Sequence, residues 1–182
     1  FNLPAALASA QAALTIVCNP NAPSGSFIAV EEIASLAKEL KGVLLVDEAY
    51  VDFAKDNCAR LIKDCDNLLI LRSMSKGYSL AGIRFGYGIA QKSLIEGLRK
   101  VRDSYPVDAV AITAATAAIK DQNYFRQNVQ KVKQERDRLT QNLREMGFAV
   151  RDSESNFVLV QSKNYNANEI YDKLVGQNIY VR

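Results

Sequence analysis

The chain has 182 residues, 48% of them hydrophobic and 24% charged, with a formal net charge of +3. That content can build a sizeable core in one or two domains, and the small net charge without a clustered basic face gives no reason to invoke nucleic acid or a membrane. There is no histidine, which excludes His-dependent triads. Cys18, Cys58 and Cys65 show no metal-like pairing, so no metal is expected and a reducing, cytoplasmic compartment fits best.

In chain order, Leu14-Thr15-Ile16-Val17-Cys18 reads as a buried strand that runs into Asn19-Pro20-Asn21-Ala22-Pro23-Ser24-Gly25. Two prolines, two asparagines and a glycine within seven residues predict a rigid, shaped loop. The run Gly42-Val43-Leu44-Leu45-Val46 is uninterrupted and of strand length, as for a parallel strand covered on both faces, and Asp47 stands at its carboxyl end. Ligands bind at that end of open α/β sheets, so Asp47 is placed for chemistry, although a strand ending in an ordinary polar turn looks the same. Tyr50 follows three residues later.

The run Leu71-Arg72-Ser73-Met74-Ser75-Lys76-Gly77-Tyr78-Ser79-Leu80-Ala81-Gly82-Ile83-Arg84-Phe85-Gly86-Tyr87 carries the most chemistry. Lys76 lies just past an apolar strand-like segment, between small hydroxyl residues, with an arginine eight positions on. A lysine attacks a carbonyl only when its amine is neutral part of the time, which nearby positive charge or partial desolvation provides. Ser73 and Ser75 offer hydroxyls to phosphate oxygens, Arg84 offers a charge-assisted fork, and Gly77 lets backbone come close. Pyridoxal 5'-phosphate is a ligand that needs all three kinds of group. Asp47 would then pair with its protonated ring nitrogen, and Tyr50 would donate to the ring oxygen beside the aldehyde.

The second half reads as a different unit, so 1–120 and 121–182 are taken as separate domains. Phe125, Val129, Val132, Leu139, Leu143 and Met146 recur at helical spacing from Asp121 to Met146, predicting a long amphipathic helix that ends at Gly147. Short apolar runs follow at Phe148-Ala149-Val150 and Phe157-Val158-Leu159-Val160, then a helix near Ala167 to Val175, then Ile179-Tyr180-Val181. The Lys and Arg residues at 126–144 read as a solvated helix face.

Together the segments at 19–25, 47–53 and 71–87 resemble the fold type I, pyridoxal-phosphate-dependent aminotransferases. Asp-Glu-Ala-Tyr-Val-Asp-Phe at 47–53 and Ser-Leu-Ala-Gly-Ile-Arg-Phe-Gly-Tyr at 79–87 are most similar to the signatures of the histidinol-phosphate aminotransferases, a class II subgroup. The resemblance runs over essentially the whole chain. It implies an α/β fold: the C-terminal part of a large, mostly parallel-sheet domain, then most of a small α+β domain. It makes Lys76 the Schiff-base lysine, Asp47 the partner of the pyridine nitrogen, Tyr50 the donor to the ring hydroxyl, and Ser73, Ser75 and Arg84 the phosphate cup. One departure matters: the family loop places an asparagine on the cofactor's ring oxygen where this chain has Ala22. Asn21 is the neighbouring residue that a small loop shift would substitute. Losing one neutral hydrogen bond there would cost about 1 kcal/mol, too little to abolish cofactor binding.

Asn156 resembles a family position near substrate and cofactor, and reads equally as a strand-initiating turn residue. Arg182 resembles a family arginine that contacts the substrate's phosphate. The implied reaction is transamination of a phosphorylated amine, histidinol phosphate, against 2-oxoglutarate and glutamate, in a homodimer. Threonine-phosphate decarboxylase, broad-specificity amino acid aminotransferase and a non-catalytic ligand-sensing domain are the alternatives. The resemblance also implies further chain before Phe1, with more parallel strands, a glycine-rich phosphate turn and a ring-stacking aromatic. A carboxylate-gripping arginine would follow Arg182, so the sequence is expected to be a piece of a longer protein.

Overall fold

The computed structural model describes residues 3, 4, 6–10 and 12–182. After a short helix α1 (Ala6–Ser9), strand β1 (Leu14–Cys18), helix α2 (Val30–Glu39) and strand β2 (Val43–Asp47) form a parallel β-α-β unit. Two 3-10 turns, Val51–Phe53 and Cys58–Lys63, lead to β3 (Leu68–Ser73), and a third, Ala81–Ile83, leads to β4 (Gly86–Ala90). The sheet order is β1-β2-β3-β4; β2 and β3 are parallel, whereas β3 and β4 are antiparallel, with Ser73 opposite Gly86.

Helix α2 forms because Ile33, Leu36, Ala37 and Leu40 fall on one face, and Glu31, Glu32 and Lys38 complement its dipole. That face packs on Leu44, Val46, Leu68 and Ile70, all fully buried, to make the core. Each such side chain contributes about 1.5–3 kcal/mol by leaving water. The other sheet face is not enclosed in the same way: Leu14 and Ile16 are 49% and 63% exposed, and burial alternates along both β1 and β2. The apolar run in β2 has one face in the core and one half-open, because α2 covers a single side.

Helices α3 (Lys92–Val101) and α4 (Ala109–Lys120) precede the long helix α5 (Gln122–Glu145). Helix α5 matches the expected span. Asp121 caps it by accepting the Tyr124 N–H at 3.1 Å, and it stops where Gly147 adopts φ +88°, a conformation that costs a glycine little. Its apolar face is only half-buried, with Leu139 and Met146 exposed. A two-stranded antiparallel sheet, β5 (Ala149–Val150) with β6 (Val160–Gln161), and helix α6 (Ala167–Val175) complete the chain. The expected strand over Phe157–Val160 shrinks to its last residue. Ser153 Oγ donates to the Phe157 carbonyl at 2.6 Å, which folds 153–157 into a turn. At the apolar run Ile179-Tyr180-Val181, the Ile179 N–H returns to the Leu174 carbonyl in a helix-terminating turn. No described helix is long and apolar enough to cross a membrane.

Candidate active site

Asp47 ends β2 in register with Cys18 on one side and Leu71 on the other, so the ends of the three parallel strands meet at its carboxylate. Asp47 Oδ1 accepts the Ala49 N–H at 2.9 Å, which fixes the carboxylate's orientation. Two residues after Leu71, Ser73 closes β3, and its hydroxyl accepts the Ser75 N–H at 3.1 Å, leaving the hydroxyl proton to donate elsewhere. Met74 is fully buried and anchors the next turn through the Phe85 carbonyl, which takes its N–H at 3.1 Å.

With Met74 directed inward, Lys76 emerges exposed, its Nζ 5.3 Å from the centre of the Tyr50 ring. The antiparallel return brings Arg84 back two residues before Gly86, the register partner of Ser73. Arg84 adopts φ +59°, an unusual backbone state for a residue with a side chain, and donates to the Ala81 carbonyl at 2.9 Å. Four of its five N–H groups stay available. Lys76, Tyr50, Asp47, Ser73, Ser75 and Arg84 thus gather at one end of β2 and β3.

The other three sequence-predicted residues stand apart from that cluster or are otherwise engaged. Asn21 donates its side-chain amide to Ser24 Oγ at 2.7 Å, so one of its two N–H groups is spent within its own loop. The loop is braced instead by Asn19, fully buried, which exchanges both side-chain bonds with the Ile28 backbone. Asn156 is exposed and borders a groove of about 350 Å³ against α5, with Lys131, Glu135 and Arg138. Arg182 is exposed at the end of a segment without regular structure.

A family model for class I and II aminotransferases matches residues 2–182. The chain belongs to that family. Histidinol-phosphate aminotransferase 1 of Nostoc sp. is 46% identical over 97% of the chain and 50% of that protein. The histidinol-phosphate aminotransferase of Sinorhizobium meliloti, solved in complex with pyridoxal-5'-phosphate, superposes with a TM-score of 0.87 at 29% identity, over 98% of the chain and 50% of its own. The L-threonine-O-3-phosphate decarboxylase of Porphyromonas gingivalis superposes at 0.82 and 26% identity, over 93% and 54%. The α/β architecture is accordingly part of the fold type I transferase fold, and the chain spans about half the length of the curated relatives it matches.

In this aminotransferase chain the cluster rests on residues that sequence reasoning missed. Glu48, next to Asp47, is fully buried; its Oε2 accepts from Arg72 at 2.8 and 3.0 Å, and its Oε1 accepts the Cys58 N–H at 2.6 Å. Burial opposes the Arg72 charge, but the Glu48 carboxylate and, to a lesser extent, Tyr87 together outweigh it and hold the guanidinium's pKa up. The pair ties the residue after Asp47 to the residue before Ser73. The acidic doublet at 47–48 was the available signal, one carboxylate for each side of the strand end. Gly77, read as letting backbone come close, is approached by the Asp52 side chain, which occupies the space a Cβ would take. The second half contributes Phe157, whose ring meets Tyr50 edge-on at 5.1 Å, and Arg136 on α5, which donates to the Phe53 and Ser155 carbonyls at 3.3 and 3.1 Å.

Proposed function

We propose that this aminotransferase chain is the lysine-bearing part of a pyridoxal-phosphate enzyme that transfers an amino group from histidinol phosphate to 2-oxoglutarate, giving imidazole-acetol phosphate and glutamate. The observation that carries the reading is the exposed Lys76 amine over Tyr50, with a carboxylate at one strand end and two hydroxyls and a guanidinium on the lysine's own segment. That donor set fits a phosphorylated ring aldehyde: Ser73 keeps a free hydroxyl proton, and Arg84 keeps most of its donors.

When bound, the cofactor supplies an aldehyde that takes up the amino group and a ring that spreads negative charge from the substrate carbon. Lys76 holds the cofactor and afterwards carries a proton on Nζ to and from the substrate carbon. The Asp47 carboxylate keeps the ring nitrogen protonated, and the Tyr50 hydroxyl donates to the ring oxygen. Ser73, Ser75 and Arg84 hold the phosphate, with Asn21 contributing at most the second hydrogen of its amide. Asn156 and Arg182 serve the substrate, Arg182 at its phosphate. Residues 1–120 belong to the large cofactor-binding domain and 121–182 to the small one, in a cytoplasmic homodimer.

Borohydride reduction of the full-length protein followed by peptide mapping should find the cofactor's mass on the Lys76 peptide; finding it on another lysine would sink the assignment. Turnover of histidinol phosphate should far exceed that of histidinol, and equal rates would remove the phosphate site. The likeness to the Porphyromonas gingivalis decarboxylase favours a second reading, loss of carbon dioxide from a phosphorylated amino acid. Carbon dioxide release from such a substrate would establish it in place of the first.

A further inference from the structure

We propose that Asp52 is a positioning residue for Lys76, acting through the Gly77 peptide that follows the lysine; this rests on the reading of Lys76 given above. Asp52 lies in the 3-10 turn Val51–Phe53, directly after Tyr50 and Val51. Its side chain packs so closely on Gly77 that a Cβ there would overlap Asp52 Oδ2 and lie 2.8 Å from both Asp52 Cβ and Cγ. Gly77 is buried and Lys76 exposed, and the Ser79 N–H closes the turn on the Lys76 carbonyl at 3.0 Å. The turn therefore sits on Asp52 on one side and presents the amine on the other. One short 3-10 segment thus bears on the lysine twice, through the Tyr50 ring beneath its amine and the Asp52 carboxylate behind its backbone.

The carboxylate is held there against a cost. Burial pushes its pKa up to about 6, while Arg72 and the Gly77 N–H pull it down and Glu48 adds to the rise. Tyr87 on β4 is electrostatically coupled to it, and Lys133 and Arg136 on α5 donate to the neighbouring Ala54 and Phe53 carbonyls. A carboxylate serving only packing gains nothing from ionising at this position, and a charge kept beside a reactive group at an energetic cost is a mark of functional sites. Ionised, Asp52 is drawn to the Gly77 N–H against which it packs and seats the turn. Protonated, it is a poorer acceptor, and the lysine's presentation loosens.

The test uses full-length holoenzyme and two readouts between about pH 5 and 8.5: kcat, and the rate at which borohydride captures the cofactor on the Lys76 peptide. Wild type should show an inflection near pH 6 in both. Asp52→Asn should lose the inflection and lower kcat about tenfold at pH 7.5 with KM little changed, the signature of a misplaced reacting group. Gly77→Ala should be severe alone and milder when combined with Asp52→Gly, because only loss of the whole side chain, Cβ included, clears the space that a Cβ at 77 needs. A flat wild-type profile between pH 5 and 7, an inflection that persists in Asp52→Asn, or strictly additive effects at 52 and 77 would each overturn the proposal. Capture on a lysine other than Lys76 would instead overturn the reading of the site itself.

Discussion

The sheet half and the helical half of this chain are held together by different means. In the first, a continuous apolar cluster from α2, β2 and β3 lies beneath the strand ends, and the loops that leave those ends are tied down by Asn19, Glu48 and Arg72. In the second, α5 and α6 have no fully buried residue, and the segment from 147 onward is mostly exposed. Its connections to the sheet half near the cluster are made by individual side chains and backbone groups, among them Phe157 on Tyr50, Phe125 stacked on Tyr78, Lys133 and Arg136 on the Ala54 and Phe53 carbonyls, and the Glu154 N–H on the Gly25 carbonyl at 2.8 Å. The difference teaches that the candidate cluster takes its rigidity from one half, while the other reaches it through single contacts that can be removed one at a time.

The sharpest test separates chemistry from scaffold. Lys76→Ala should lower kcat about a thousandfold or more while leaving the melting temperature nearly unchanged, because the lysine is exposed; steady-state kinetics beside a thermal melt checks both. Arg72→Ala strands the Glu48 charge in the core and should cost about 3–5 kcal/mol in chemical denaturation, erasing the sheet half's advantage. Next, Ile70→Ala should cost about 2–5 kcal/mol, whereas Leu139→Ala on α5, 43% exposed, should cost well under 1; similar losses would break the comparison.

Arg136→Ala removes three hydrogen bonds, to the Phe53 and Ser155 carbonyls and the Asp137 carboxylate, from a side chain only 9% exposed and should cost about 1–3 kcal/mol, with a KM effect that a pure scaffold residue would not give. The smallest effect is at Asp52. Its folded pKa of about 6 exceeds the unfolded 3.8, so the stability it contributes is present below pH 3.8 and lost as pH rises through 6. Asp52→Asn should accordingly be more stable than wild type above pH 6, by about 1 kcal/mol after allowance for solvent screening. Melting curves should show the gap closing toward pH 4.

Most of the candidate cluster could be named from the sequence because its members lie in two short segments of telling residue types: the strand end at 47–50 and the run 73–84. Helix α5 was legible from its period. The brace beneath the cluster was not. Glu48 and Arg72 are separated by 24 residues, and only the parallel register of β2 and β3 brings them together. Helices α2, α3 and α4 went unread, α4 because its Ala- and Thr-rich sequence carries little amphipathic contrast. The strand over Phe157–Val160 was overread, since the Ser153 hydroxyl folds 153–157 into a turn and leaves only Val160 of that run in β6.

Arg136 carries a consequence for changes of length rather than of residue type. A single insertion or deletion in α5 between its capped start and position 136 would swing that side chain by about 100° around the helix axis. It would lose the Phe53 and Ser155 carbonyls together. The surface of α5 is polar enough to accept many substitutions, yet the helix has no spare register. The spacing from Asp121 to Arg136 behaves as a fixed ruler between the two halves of the chain.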